Sequence, residues 1–297
     1  MSVQQQQFIN LFSLLILGFF FSNLYLQWYE IGAVLLFTLF LETFLYTFKT
    51  SEQNYQKIST YLPYSLSALA TSIGVMVMLV SPNFWIYLVV ISLALFQKHF
   101  MRVEGRHFFN PSNFALVMAL TFFYDKAHIA LGQLGDEVWL IWTLSILAIS
   151  ILVRVKRWII SLAFVLFYLL FEYLFVVSLD PVLIMEEVYY RFYSVSFLLF
   201  IFFMLTDPRA TPSNAYVQIV FAFLVALLSV VLDYVYGFRV QHLFLSLFFF
   251  SLFTPLVEQW YSRSKLLMVV TFLLFVLASV AIISIENQTP YYFTMEN

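Results

Sequence analysis

Two polar, proline-bearing segments interrupt long hydrophobic runs in this chain: Phe109-Asn110-Pro111-Ser112-Asn113 and Thr206-Asp207-Pro208-Arg209-Ala210-Thr211-Pro212. Hydrocarbon offers no hydrogen bonds to a freed backbone. Such breaks therefore persist at membrane depth only where they are buried in protein or line a cavity. The flanking sequence imposes the membrane setting: 63% of residues are hydrophobic and 10% are charged, against about a quarter charged in a typical soluble domain. The chain reads as an all-α polytopic membrane protein embedded in a lipid bilayer.

Runs suited to crossing about 30 Å of hydrocarbon fall at 8–27, 31–48, 61–80, 83–97, 109–124, 138–153, 158–178, 192–206, 214–234, 240–259 and 266–284. Loops following the even-numbered runs carry Lys49, Lys57, Lys98, Arg102, Arg106, Arg154, Lys156, Arg157, Arg209, Arg263 and Lys265, which is eleven of the fourteen basic residues. The opposite loops hold Lys126, Arg191 and Arg239 and collect Glu30, Asp125, Asp136, Glu137, Asp180, Glu186, Glu187 and Asp233. By the positive-inside rule the N-terminus is cytoplasmic and the C-terminus external, in what reads as a bacterial inner membrane. Met1–Gln7 lacks a basic residue ahead of the first run, so that run reads as a retained span. Trp28, Trp85, Trp139, Trp158 and Trp260 sit near run ends, as interfacial anchors do.

Other functions lose support at this stage. No cysteine is present for disulfides, thiolate metal sites or a cysteine nucleophile, and seven scattered glycines build no phosphate-cradling loop. The four histidines lack metal-ligand spacing, no hydrolase motif occurs, and no basic patch interleaved with aromatics points to nucleic acid.

The helical stretches 83–97 and 113–124 are short, so the stretch from Lys98 to Ser112 reads as partly re-entrant, with Asn110-Pro111 opening a half-helix. The layout also repeats. Ser81-Pro82 ends the third run as Asp207-Pro208 ends the eighth, and Asn110-Pro111 corresponds to Gln241-His242. Units five runs apart traverse the bilayer in opposite directions, which gives a five-plus-five inverted repeat of about ten core helices. The core covers 1–260, with repeats at about 1–124 and 138–260, and 261–297 adds one C-terminal helix and a short external tail.

Ser67-Ala68-Leu69-Ala70-Thr71-Ser72, Lys98 ahead of Phe109-Asn110-Pro111, and Met204-Leu205-Thr206-Asp207-Pro208 with Thr211-Pro212 keep their order over roughly 55–260. In these motifs the chain resembles the RnfD/NqrB family, membrane subunits of ion-pumping electron-transport complexes with relatives near enediyne-biosynthesis genes. The resemblance implies a urea-transporter-like fold, flavin held in or beside the helices, and membrane or peripheral redox subunits as partners. It further implies coupling of electron flow to sodium or proton movement, with no catalysis by this chain alone. The family's covalent flavin attachment motif, Ser-Gly-Ala-Thr, has no counterpart here. The corresponding region reads Tyr124-Asp125-Lys126-Ala127-His128-Ile129-Ala130, so any FMN or riboflavin is expected to be noncovalent.

Thr71, Ser72, Lys98, Asn110, Pro111, Asn113, Thr206, Asp207 and Thr211 are the expected cofactor-binding or pathway-lining residues. Thr71, Ser72, Lys98, Asn110 and Asp207 each have a structural alternative. Asn110 either meets a ligand or caps a helix, and Asp207 either binds a cation or flavin amide or makes a local cap or salt bridge with Arg209. Thr71 and Ser72 either line a path or bond between helices. Glu42 and Glu172, inside apolar runs, either relay protons or reach the interface. The basic connection Lys98, His99, Arg102, Arg106 and His107 either holds a phosphate or partner surface or records topology alone. The competing function is a small-solute or ion transporter without redox chemistry; a scaffold for other subunits is the third.

Overall fold

The computed structural model describes residues 3–21, 24–49, 58–103, 106–130, 138–155, 157–178, 184–252 and 254–257. The eleventh expected span and the tail lie outside them, as do Lys57, Asp136, Glu137, Lys156, Asp180, Trp260, Arg263 and Lys265. Each of the other ten expected spans falls on a helix. These are α1 (Val3–Phe21), α2 (Trp28–Lys49), α3 (Ile58–Met78), α4 (Phe84–Phe100), α5 (Pro111–Phe123), α6 (Val138–Val155), α7 (Trp158–Phe171), α9 (Val195–Leu199), α10 (Ala215–Tyr236) and α11 (Gln241–Ser251). A one-turn α12 (Thr254–Val257) follows. Two short antiparallel pairs complete the described elements: β1 (Leu79–Val80) with β4 (His128–Ile129), and β2 (Arg102–Val103) with β3 (Arg106–His107).

One helix was not expected. The stretch before the eighth run, read as an external loop, forms α8 (Met185–Phe192), and the segments Met185–Arg191 and Val195–Met204 meet at a bend of 66°. Among the described residues, Trp28–Phe48, Tyr61–Met78, Trp158–Val177 and Ala215–Tyr236 are each long and apolar enough to cross a membrane, and the bent pair makes a fifth. The all-α polytopic reading stands on these spans. The helices α4, α5 and α11 are shorter, with 17, 13 and 11 residues.

Local chemistry sets the ends of these pieces. Asn110 caps α5 by accepting the Asn113 N–H, and Pro111 takes the first helical position, where a missing N–H costs nothing. Asn214 caps α10 in the same way, and α10 ends at Gly237, whose φ of 90° suits glycine. Two helices finish in wide π-turns, Glu172–Val177 after α7 and Phe200–Met204 after α9. Their closing bonds run from Ser178 N–H to Tyr173 O and from Leu205 N–H to Phe200 O. Such turns are rare and recur at functional sites.

Helix α1 packs on α3 and α6, α2 on α3 and α4, and α4 on α5; α7 packs on α10, α10 on α11, and α11 on α5. Gly74 lets α3 approach α5 closely, since a Cβ there would lie 2.9 Å from Ser112 Oγ. Large side chains such as Tyr87, Phe109, Tyr168 and Phe244 fill the interior. Leu36, Phe40, Phe44 and Phe48 on α2 point outward, as suits a lipid-facing helix, and Trp28, Trp85, Trp139 and Trp158 are exposed near helix starts.

Candidate functional site

The two proline-bearing breaks meet. Asn110 Nδ2 donates to Asp207 Oδ2 at 3.2 Å, so the cap of α5 is tied directly to the carboxylate that follows the π-turn after α9. Asn110 fills the capping role, since its Oδ1 accepts the Asn113 N–H while its amide is held by Asp207. Asp207 Oδ1 accepts the Arg209 backbone N–H at 3.0 Å, which makes a turn cap. The freed carbonyls of this break are claimed by protein donors. Arg106 donates to Pro208 O and Thr211 O, Arg157 and Gln218 to Pro212 O, and Thr254 to Ala210 O. The irregular backbone of this break is therefore satisfied within the protein, as a bilayer setting requires.

Beside this junction lies an open cavity of about 100 Å³, walled in part by Ser67, Thr71, Asn110, Thr206, Asp207 and Arg209. Of the expected residues, Thr71, Asn110, Pro111, Thr206 and Asp207 line it. Thr71 and Thr206 bond their hydroxyls back to Ser67 O and Phe202 O, one turn earlier on their own helices. Ser72, Lys98, Asn113 and Thr211 stand off the wall. Ser72 bonds within α3, Thr211 Oγ1 donates to Asp207 O at 2.7 Å, and Asn113 Nδ2 donates to Phe244 O at 3.1 Å. That last bond joins the first turns of α5 and α11.

Lys98 corrects the sequence reading most. It is fully buried, with Nζ 3.8 Å from Glu42 Oε2 and 3.5 Å from Tyr64 O, and so is not presented to a phosphate or a partner surface. His99 Nε2 lies 2.9 Å from Glu42 Oε1. Glu42, which snorkelling would carry to the interface, is instead enclosed between α2 and α4; a buried carboxylate requires such partners. His107, in the connection between α4 and α5, is also buried and lines the cavity, with Nδ1 2.8 Å from Phe109 O. Burial pushes its ring down to about 4, against the opposing pull of Asp207, and nearby Arg209 and Lys98 add to the depression. The ring is neutral at physiological pH.

A second polar centre joins residues that the sequence does not connect. Arg191 and Asp233 read as loop residues and Glu172 as an acid inside an apolar run, yet all three are buried and converge. Arg191 Nη1 donates to Asp233 Oδ2 at 2.8 Å and to the Tyr168 hydroxyl, and His242 Nδ1 lies against Asp233 Oδ1. A signal for this existed. An acidic residue deep in the apolar 158–178 run needs a countercharge, and the nearest basic residue beyond that run is Arg191.

The cavity also tests the flavin implied by the resemblance. Small-molecule pockets run from about 300 Å³ upward, while a few waters need far less. About 100 Å³ therefore takes waters or a cation and does not enclose a tricyclic isoalloxazine ring. Among curated proteins the chain finds no match. Residues 120–266, about half of the chain, match the NQR2, RnfD, RnfE family, and on that match, in agreement with the motif resemblance, the chain belongs to this family.

Proposed function

We propose that this chain is a membrane subunit of an ion-coupled electron-transport complex and that the Asn110–Asp207 cavity is where it handles the coupled cation, sodium or proton. Family membership supports the subunit role. The observation that carries the cavity assignment is the tie between the two breaks, which sets a partly exposed carboxylate at the cavity wall. A carboxylate is retained in such surroundings at an energetic cost, and cation handling is the usual reason. Asp207 keeps acceptor capacity beyond its two hydrogen bonds, and the hydroxyl oxygens of Thr71 and Thr206 add uncharged acceptors nearby.

We propose as well that the core is a five-plus-five inverted repeat. Trp28 and Trp158 open α2 and α7, Phe84 and Ala215 open α4 and α10, and Pro111 and Gln241 open α5 and α11, each pair 130 or 131 residues apart. Packing follows the same correspondence: α2 on α4 matches α7 on α10, and α4 on α5 matches α10 on α11. Glu42 and Glu172 fall at the fifteenth residue from Trp28 and Trp158 respectively. The first turns of the two half-helices then meet within the bilayer, as in transporters built from inverted repeats. In this reading the N-terminus is cytoplasmic and the partners are redox subunits.

No step of this proposal runs through flavin. Its binding is tested by absorbance of the purified chain: a yellow chromophore bleached by dithionite would show a flavin site outside the cavity, and colourless protein would assign the redox groups to partners. The transporter reading draws on the small, polar-walled cavity. Liposomes holding the chain alone separate the two, because ion or solute flux without partners or reductant favours the transporter, and flux only in the assembled complex supports the subunit.

A further inference from the structure

Four ionisable side chains from separate elements converge away from the cavity: Glu172 in the π-turn after α7, Arg191 on α8, Asp233 on α10 and His242 on α11. Arg191 reaches Asp233 with both terminal guanidinium nitrogens, at 2.8 and 3.4 Å, and its guanidinium stacks 3.3 Å from the Phe238 ring centre. His242 Nδ1 contacts the same carboxylate, and the Arg239 N–H donates to it at 2.9 Å. Asp233 is therefore saturated. Glu172 is treated differently: it is fully enclosed, its nearest cation atom is Arg191 Nη1 at 3.8 Å, and neither of its oxygens receives a hydrogen bond.

Charge counting restricts what such a centre can hold. Two carboxylates, one permanent guanidinium and one imidazole are neutral together only when one further proton sits on the centre, and the hydrogen bonds already made to Asp233 leave Glu172 or His242 to carry it. A metal cation in place of that proton would face the guanidinium at close range, and among the described residues no group of His, Asp and Glu has metal-site geometry. The ligand the centre fits is a proton.

The surroundings extend it inward. Ser229 lies one turn before Asp233 on α10, and Ser246 one turn after His242 on α11; both hydroxyls are buried without a hydrogen-bond partner. Asn113, tied to α11 at Phe244, carries another such buried oxygen, Oδ1, and leads through the α5 cap to Asn110 and Asp207. Buried polar atoms without a protein partner are where ordered water or a moving proton finds its partners.

We infer that Glu172, Arg191, Asp233 and His242 form a proton-binding site in the second half of the bundle, with Glu172 the group that takes up and releases the proton. In release, the Glu172 O–H bond breaks and the proton passes to water, which turns the carboxyl into a carboxylate and leaves the centre with one negative charge; uptake reverses the step. The other titratable groups facing Glu172 are Tyr168, Arg191 and Asp233. What this proton is coupled to rests on the proposed function; the site itself does not.

Infrared difference spectra of the purified full-length chain, titrated over about pH 5 to 9, test it. The wild type should show a carboxylic-acid C=O band that changes with pH, lost in Glu172→Gln and kept in the exposed-site control Asp125→Asn. A band that persists in Glu172→Gln, or no such band in the wild type at any pH, overturns the inference. Should Glu172→Gln fail to fold, His242→Gln is expected to shift the band's titration midpoint, and an unmoved midpoint also overturns it. Neither readout needs electron transport or flavin, so failure here leaves the proposed function standing.

Discussion

Replacing Arg191 by Met probes the buried centre most sharply. The guanidinium holds Asp233 at 2.8 and 3.4 Å, bonds the Tyr168 hydroxyl and stacks on Phe238. Met retains much of the apolar stem over Phe238 but removes the charge, leaving Asp233 with His242 and one backbone N–H. Removing one partner of a buried pair costs about 3–5 kcal/mol, because the other charge is stranded. Arg191→Met should lower the thermal unfolding midpoint in detergent by on the order of 10 °C at a fixed scan rate. The double variant Arg191→Met with Asp233→Asn removes the stranded charge and should recover at least about half of the loss. The reasoning is refuted if the single variant loses less than about 1 kcal/mol, the worth of an exposed pair, or if the double variant is no more stable than the single.

Three further outcomes are expected. Asn110→Ala removes a helix cap and one hydrogen bond to a carboxylate, so stability should fall by about 2–3 kcal/mol, measured by the same unfolding scan. Gly74→Val drives a side chain into Ser112, whose Oγ would stand 2.9 Å from the new Cβ and now donates to Thr71 O; a loss of about 1–3 kcal/mol should follow, and wild-type stability would show that α3 and α5 do not cross there. His107 titrates at about 4 when folded and near 6.5 when unfolded, so the unfolded chain binds more protons between these values. Stability is full above about pH 6.5 and is lost progressively as pH falls toward 4, by on the order of 3 kcal/mol; His107→Gln should flatten that dependence.

The helices were legible because hydropathy is a local property: ten expected spans land on helices, and Asn110-Pro111 begins α5 as capping chemistry requires. The junction of the two breaks was half legible. Each break was visible as a polar fault, but the Asn110–Asp207 bond spans 97 residues and follows from the packing of α3, α5 and α9. Loop charge misled where a charge is turned inward. Lys98, Arg191 and Asp233 were counted as loop residues by their position at run ends, and each is buried against an opposite charge on another helix. The helix α8 was missed because its eight residues are polar on average, with Arg191 on the buried side and Glu186 and Glu187 exposed.

The central claim concerns what Asp207 does in the assembled complex. Cation movement driven by an electron donor, measured in liposomes containing the chain with its redox partners, tests it directly. Asp207→Asn should reduce that movement about tenfold or more, the effect of losing one charge-assisted contact of ~1.5 kcal/mol, while the partners' redox spectra and the assembly of the complex are unchanged. Undiminished cation movement in an intact Asp207→Asn complex would contradict the account.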